Sequence, residues 1–201
     1  LDFRIKNAIR KGEETNTGQL LKNSVGQVEC LESLKKNWID WQKKAKHNNS
    51  KNGYIKLGVG CGCVWYGCGN TAMSNPSTMR VGINPEGKIT LYNGAVDIGQ
   101  GANTIMIQIC AEALGLPASQ FEFVMSDTDL TADAGKTSAS RQTFVSGKAT
   151  QIAGENLRTQ IIHLAEASKN SSLRIKKNKL VVNDESGDHI IILSDILPKS
   201  N

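Results

Sequence analysis

Apolar residues in the first quarter of the chain recur at helical spacing. Val28, Leu31, Leu34, Trp38 and Trp41 fall three or four apart with lysines between them, which predicts an amphipathic helix over 28–46. Residues 1–27 ahead of it have no sustained period and read as an irregular arm with a short helix. The polar run from His47 to Gly53 behind it reads as a linker. These boundaries divide the chain into 1–52, a linking arm with its helix, and 53–201, an incomplete portion of a larger domain.

Beyond the linker the period changes. Residues 54–69 are rich in glycine and cysteine and strand-like, and 78–84 and 88–93 predict two strands. Asn84-Pro85-Glu86-Gly87 between those two is a turn signature. A helix from Ala102 to Leu114 follows, stopped by Gly115 and Pro117. Residues 121–126 predict a strand and 127–140 a long polar loop. A second long helix spans 143–167, carrying Val145, Ala149, Ile152, Ala153, Leu157, Ile161 and Leu164. Strands at 173–176, 179–182 and 190–193 close the chain. Hairpins with long helices packed on them make an α+β class with mixed sheets.

The composition narrows the class. The 201 residues are 39% hydrophobic and 21% charged, ordinary for a soluble globular protein. No run of eighteen apolar residues predicts a membrane span and no leader pattern opens the chain, so the expected compartment is the cytoplasm. The first residue is Leu1, which suggests a processed or excised chain. The net charge of +5 sits largely in two clusters, Lys35 to Lys51 and Arg174 to Lys179. Without groove-reading motifs these are solvated faces rather than a nucleic-acid surface. Five cysteines, an odd number, suit a reducing compartment. Cys61, Cys63 and Cys68 fit neither zinc nor iron–sulfur spacing. In a strand, Cys61 and Cys63 share a face as small buried thiols.

Two stretches carry candidate chemistry. Gly99-Gln100-Gly101 opens a helix, where a tight turn and unpaired amides make an anion site; many strand-to-helix turns carry glycine for purely structural reasons. The run Thr137-Ser138-Ala139-Ser140-Arg141-Gln142-Thr143 precedes the second long helix. One such residue suffices for a cap, and five hydroxyl and amide side chains crowded into seven positions suggest a clamp on a polyanionic ligand. Arg141 has two readings, a fork to a phosphate or an ion pair with Asp127 or Asp129. Asp127-Thr128-Asp129 lacks a third ligand at metal spacing, which favours bonding to loop amides. His47, His163 and His189 are scattered and form no nucleophile–base pair. Gly58 to Cys63 fails the dinucleotide G-x-G-x-x-G test, and no Walker-type loop occurs.

In order along the chain, 95–101, 111–117, Asp127-Thr128-Asp129 and 137–143 with Gly147 resemble the cofactor-domain signature of molybdenum hydroxylases, the xanthine dehydrogenase and aldehyde oxidase family. The arm Leu1 to Asn7 is similar to the segment that links the family's two molybdenum-binding halves. Trp65-Tyr66-Gly67 and Ser74-Asn75-Pro76 resemble purine and nicotinate hydroxylases of anaerobic bacteria.

The resemblance implies an oxidoreductase that hydroxylates purines, N-heteroaromatics or aldehydes with water as oxygen source. It implies a molybdopterin cofactor, in bacteria commonly the cytosine dinucleotide, with iron–sulfur clusters and FAD on partner subunits or domains. Ile98, Gly99, Gln100, Gly101 and Thr104 would face that cofactor, Gln100 by its side chain. Thr137, Ser138, Ala139, Ser140, Arg141, Gln142 and Thr143 would wrap the pterin and phosphates, with Ala139 beside the metal and no direct metal ligand. Tyr66, Asn70 and Thr71 would lie near the substrate. The chain departs from the family pattern in lacking the Gly-x-Gly-Glu stretch that carries the base, the glycine-phenylalanine loop and the cluster cysteines. It therefore has no catalytic residue of its own and is expected to be a subunit or fragment. The alternative is a scaffold that keeps the fold without the cofactor.

Overall fold

Glycine decides how the chain folds around its first sheet. The computed structural model describes residues 1–69 and 74–197 and divides into two units, 1–65 and 66–201. No described helix is long and apolar enough to cross a membrane.

The first unit holds α1 (Asp2–Lys6), α2 (Gln27–Ser33) and α3 (Lys35–Asn49). The single helix expected over 28–46 is thus two. At the joint the Leu34 amide bonds the Leu31 carbonyl at 3.2 Å, three residues back, before Trp38 resumes the four-residue ladder to Leu34. Of the expected apolar stripe only Leu31 is buried: Val28 and Trp38 are half-buried, Leu34 and Trp41 are exposed, Trp41 stacked under Lys44 at 4.9 Å, and the buried residue of α3 is Ala45, outside that stripe. The lysines face solvent.

Residues 54–65 form no strand, and 66–69, in the second unit, form none either. Glycines at 58, 60, 62, 67 and 69 weaken extended backbone, and no neighbouring strand supplies a ladder. Instead the Asn49 side chain accepts from the Leu57 amide and donates to its carbonyl, both at 2.8 Å. Cys61 and Cys63 therefore share no strand face. Cys30, Cys63 and Cys68 are exposed and Cys61 half-buried; Cys110 alone is buried.

In the second unit β1 (Met79–Ile83) and β2 (Ile89–Asn93) pair antiparallel through the predicted turn, closed by Gly87 at φ 83°. Helix α4 (Ala102–Leu114) then crosses over to β3 (Phe121–Met125), which lies parallel to β2. The helix ends at Gly115 in the left-handed region, φ 80°. Helix α5 (Gln142–Leu164) packs on α4 and on β1. A meander of β4 (Ser172–Lys176), β5 (Lys179–Asp184) and β6 (Gly187–Ile192) follows, and α6 (Leu193–Ile196) takes up the last residue expected in the final strand.

Strand β2 alternates as its sequence predicts, with Ile89, Leu91 and Asn93 buried. Ile89 joins Leu114, Ile161, Leu180, Val182 and Leu193 in one core that the two sheets share. Leu91, Met106 and Cys110 form a second cluster under α4. The end of β2 and the starts of α4 and α5 thus stand on buried ground, and the loops between them carry the candidate residues.

Candidate functional site

The loop from β2 to α4 is ordered by a carboxylate. Asn93 is fully buried and its Oδ1 accepts from the Ala95 amide at 2.8 Å. Asp97 Oδ1 then accepts from the amides of Gly99 at 2.9 Å and Gly101 at 3.2 Å, and Oδ2 from Asn103 at 3.1 Å. Those amide bonds, Asn103 foremost and Gly99 next, hold the Asp97 carboxyl below the usual carboxylate range. Gly99 at φ 105° and Gly101 at φ 82° adopt the turn that a side chain would strain. The anion at the start of α4 is therefore the protein's own. An Asp two residues before a helix-opening glycine is an Asx-turn signal, and it is the readable feature that the phosphate interpretation of this stretch overlooks.

Gln100, though exposed, folds back on its own loop: its Oε1 accepts from the Ile98 amide at 2.7 Å and its Nε2 donates to the Val96 carbonyl at 3.2 Å.

The start of α5 is different. Its first ladder bond runs from the Val145 amide to Arg141 O at 2.8 Å, so the amides of Gln142, Thr143 and Phe144 lie outside the helical ladder. Ala139 and Ser140 precede it at φ 53° and 55°, a left-handed pair without glycine, which costs on the order of 1–3 kcal/mol per residue and persists only where surroundings impose it. Here they do. The Ala139 amide donates to the Tyr66 hydroxyl at 2.6 Å, and the Ala139 carbonyl accepts from Gly69 at 2.5 Å. Gln142 Nε2 donates to Thr137 Oγ1 at 2.9 Å, Ser146 donates to Gln142 Oε1, and Ser77 and Ser146 share a bond at 2.9 Å.

The Arg141 guanidinium binds four carbonyls, those of Ala134, Lys136, Asn75 and Pro76. It pairs with neither Asp127 nor Asp129, because Asp127 Oδ1 is spent on the amides of Asp129 and Leu130, as the loop-amide reading of that pair expects. Nor does it offer a fork to a phosphate, since both terminal nitrogens are engaged.

Thr137 joins the two loops. Its hydroxyl is bonded to both the amide and the carbonyl of Val96. The result is an open cleft of about 400 Å³ lined by Tyr66, Ile98, Gln100 and residues 137–143, within the size range of small-molecule sites. Gly99, Gly101 and Thr104 stand off this wall: the glycines shape the turn and Thr104 lies exposed on the first turn of α4. Asn70 and Thr71 lie outside the described residues. The lining carries no carboxylate, imidazole or thiol, so its chemistry is binding through hydroxyls, amides and a cation rather than acid–base exchange.

The comparisons agree with this geometry. The model of the molybdopterin cofactor-binding domain matches residues 34–194. The xanthine dehydrogenase molybdenum-binding subunit of Escherichia coli O157:H7 is 30% identical over 98% of this chain and 27% of that subunit. The aldehyde oxidoreductase of Megalodesulfovibrio gigas is 29% identical over 78% of this chain and 17% of its own length. The chain thus spans about a quarter of the first of these relatives and less of the other. In structure, the Desulfovibrio gigas aldehyde oxidoreductase matches 83% of this chain and 20% of its own with a TM-score of 0.52 at 24% identity, a likeness of fold. A donor-lined cleft on an α+β frame, matched over most of its length by one domain model, leads to one assignment: the chain belongs to the molybdopterin cofactor-binding domain family of the xanthine dehydrogenase and aldehyde oxidoreductase group.

Proposed function

We propose that this chain supplies one wall of the cofactor site of a molybdenum hydroxylase that oxidises purines, N-heteroaromatics or aldehydes with water as oxygen source. The observation that carries the reading is the cleft itself, where one threonine hydroxyl holds two loops together and α5 presents amides outside its ladder. The donor set suits a ligand rich in acceptors and negative charge: hydroxyls of Ser140 and Thr143 and the α5 amides, with the buried Arg141 bracing the wall through backbone carbonyls behind them. Bound there, a molybdopterin, in our reading the cytosine dinucleotide, supplies the oxidising metal centre. Residues 137–143 hold and orient it, Ile98 and Gln100 border it, Gly99 and Gly101 shape the turn, and Thr104 adds a polar edge. In our reading Tyr66 lies toward the substrate; Asn70 and Thr71, which the resemblance groups with it, are outside the described residues.

The rest of the machinery belongs to other parts of the assembly: the catalytic glutamate, the other molybdenum-binding half, and iron–sulfur and FAD subunits or domains, all cytoplasmic. Within the chain, 1–52 serves as the linking arm and 53–201 as the cofactor domain portion.

A second reading, a scaffold that keeps the fold without the cofactor, draws on Gln100 and Arg141, whose polar atoms bond backbone groups of the chain itself. One experiment separates the two. The chain is assembled with its partner subunits, and molybdenum and released cytidylate are measured by mass spectrometry, for wild type and for Gln100→Ala with Ser140→Ala. The cofactor reading expects both in the wild type and a marked loss in the variant. An active assembly whose variant keeps full content and turnover establishes the scaffold.

A further inference from the structure

Within the first unit a groove lies between α3 and the strip that follows it. Leu34, Trp38 and Trp41 line one side and residues 59–62 the other, around a space of about 330 Å³. Those three residues sit at i, i+4 and i+7, on one face of the helix. Leu34 is 40% and Trp41 57% exposed. The apolar surface runs on past the groove through Ile55, Leu57, Val64 and Trp65, all exposed. Contiguous exposed apolar surface rimmed by polar residues marks an interaction site.

The strip offers a second kind of contact. Residues 55–65 run without turn or bend, and no backbone–backbone hydrogen bond engages 58–64 among the described residues. A Cβ on Gly58, Gly60 or Gly62 would meet nothing within 4 Å, so this backbone is open to approach. A free extended edge takes up a strand from another chain. The charge points to the partner's kind. From Leu34 to Gly62 the chain carries seven lysines and one acid, Asp40. Asp40 pairs with Lys36 at 3.3 Å, and Lys35 with Glu32 at 3.5 Å. Lys43, Lys44, Lys46, Lys51 and Lys56 belong to none of the ion pairs found among the described residues. Lys44 lies over the Trp41 ring at 4.9 Å, at the lip of the groove. A field of one sign favours a partner of the other.

We propose that this groove docks an acidic segment of a partner protein in extended form. The segment's backbone adds to 58–64 as a strand. One of its apolar side chains seats on Leu34 and Trp41, and its carboxylates face Lys44 and the other unpaired lysines. The docking does not depend on the cofactor assignment.

The test is calorimetric titration of the full chain with a peptide of about eight residues that alternates glutamate with leucine. An all-glutamate peptide of the same length and an N-methylated copy of the first serve as controls. The alternating peptide should bind about tenfold more tightly than either control. Trp41→Ala, and Lys44→Glu combined with Lys46→Glu, should each weaken it about tenfold. All three positions are exposed, and circular dichroism checks that the variants keep their helix. Amides of 58–64 should exchange more slowly when the peptide is bound, which diffuse attraction of charge does not produce. Equal binding of the three peptides, or full affinity in Trp41→Ala, overturns the proposal. So does an oligouridylate that binds more tightly than the alternating peptide, which makes the lysines a nucleic-acid surface. A chain that sediments as a dimer, and as a monomer once Trp41 is replaced, overturns it in favour of a second copy.

Discussion

The Thr137 hydroxyl accepts from the Val96 amide at 3.1 Å and donates to the Val96 carbonyl at 3.0 Å, across 41 residues of sequence. With Gln142 Nε2 as a second donor at 2.9 Å, its one proton and both lone pairs are in use. This hydroxyl is the direct tie between the loop that opens α4 and the loop that opens α5.

Replacing Thr137 by Val keeps the volume and removes all three bonds. Val96 is 44% exposed, so water can recover part of the loss, and the expected cost is about 1–2 kcal/mol. Thr137→Ser should restore most of it. Urea denaturation of the three proteins is the check; a Val variant as stable as wild type would show that the loops meet without this tie.

Asp97 gives an acid dependence with a definite sign. Its carboxyl is held low in the folded chain by the amides of Asn103, Gly99 and Gly101. A depressed folded value stabilises the protein above the unfolded carboxyl value, about 3.9, and that contribution disappears as pH falls through the folded value. Wild type should therefore melt above Asp97→Asn from pH 5 upward, with the gap closing below about pH 4. A gap that stays constant down to pH 2.5 would falsify the capping role.

Cys110 is fully buried and burial pushes its thiol up to about 12. Iodoacetamide at pH 8 should label the exposed Cys30, Cys63 and Cys68 quickly, half-buried Cys61 more slowly, and Cys110 only after unfolding. Mass mapping reads this directly, and rapid labelling of Cys110 in the folded chain would contradict the packing of α4.

The contact between α4 and α5 distinguishes two glycines. A Cβ on Gly154 would meet Ala113 Cβ at 2.9 Å and Cys110 O at 3.1 Å, while one on Gly147 would meet the tip of Ile109 at 2.9 Å. A side-chain tip can rotate away; a helix backbone cannot. Gly154→Ala should destabilise by about 1–3 kcal/mol despite its better helix propensity, and Gly147→Ala should be neutral or stabilising by up to ~1 kcal/mol. Thermal melts of the pair that come out with the opposite order would show that the helices are further apart.

Much of the frame was legible because its signals are local. Helix α4 begins and ends where the glycines and Pro117 place it, and the β1–β2 turn needs only its own four residues. Residues 54–69 misled for a physical reason: an extended pattern becomes a strand only beside a partner, and among the described residues none pairs with it. The helical character of 28–46 was readable, while the joint at Leu34 was not, since it is a shift in one backbone bond.

The candidate site was legible as stretches and not as roles. Serine, threonine and glycine runs marked both loops, yet the polar atoms of Gln100 and Arg141 are taken up by backbone groups of the chain, and Asp97 fills the anion position that the glycines suggested.

By itself the sequence determined the class, the helix and strand order from β1 onward, the two donor-rich stretches and the family signature, all set by composition and short-range spacing. The tertiary structure decided which donors face the cleft and which are consumed. For Thr137 and Arg141 that choice is made by contacts 41 and 66 residues apart, with Val96 and with Asn75, and a polar atom's availability depends on whether such a distant partner has already satisfied it.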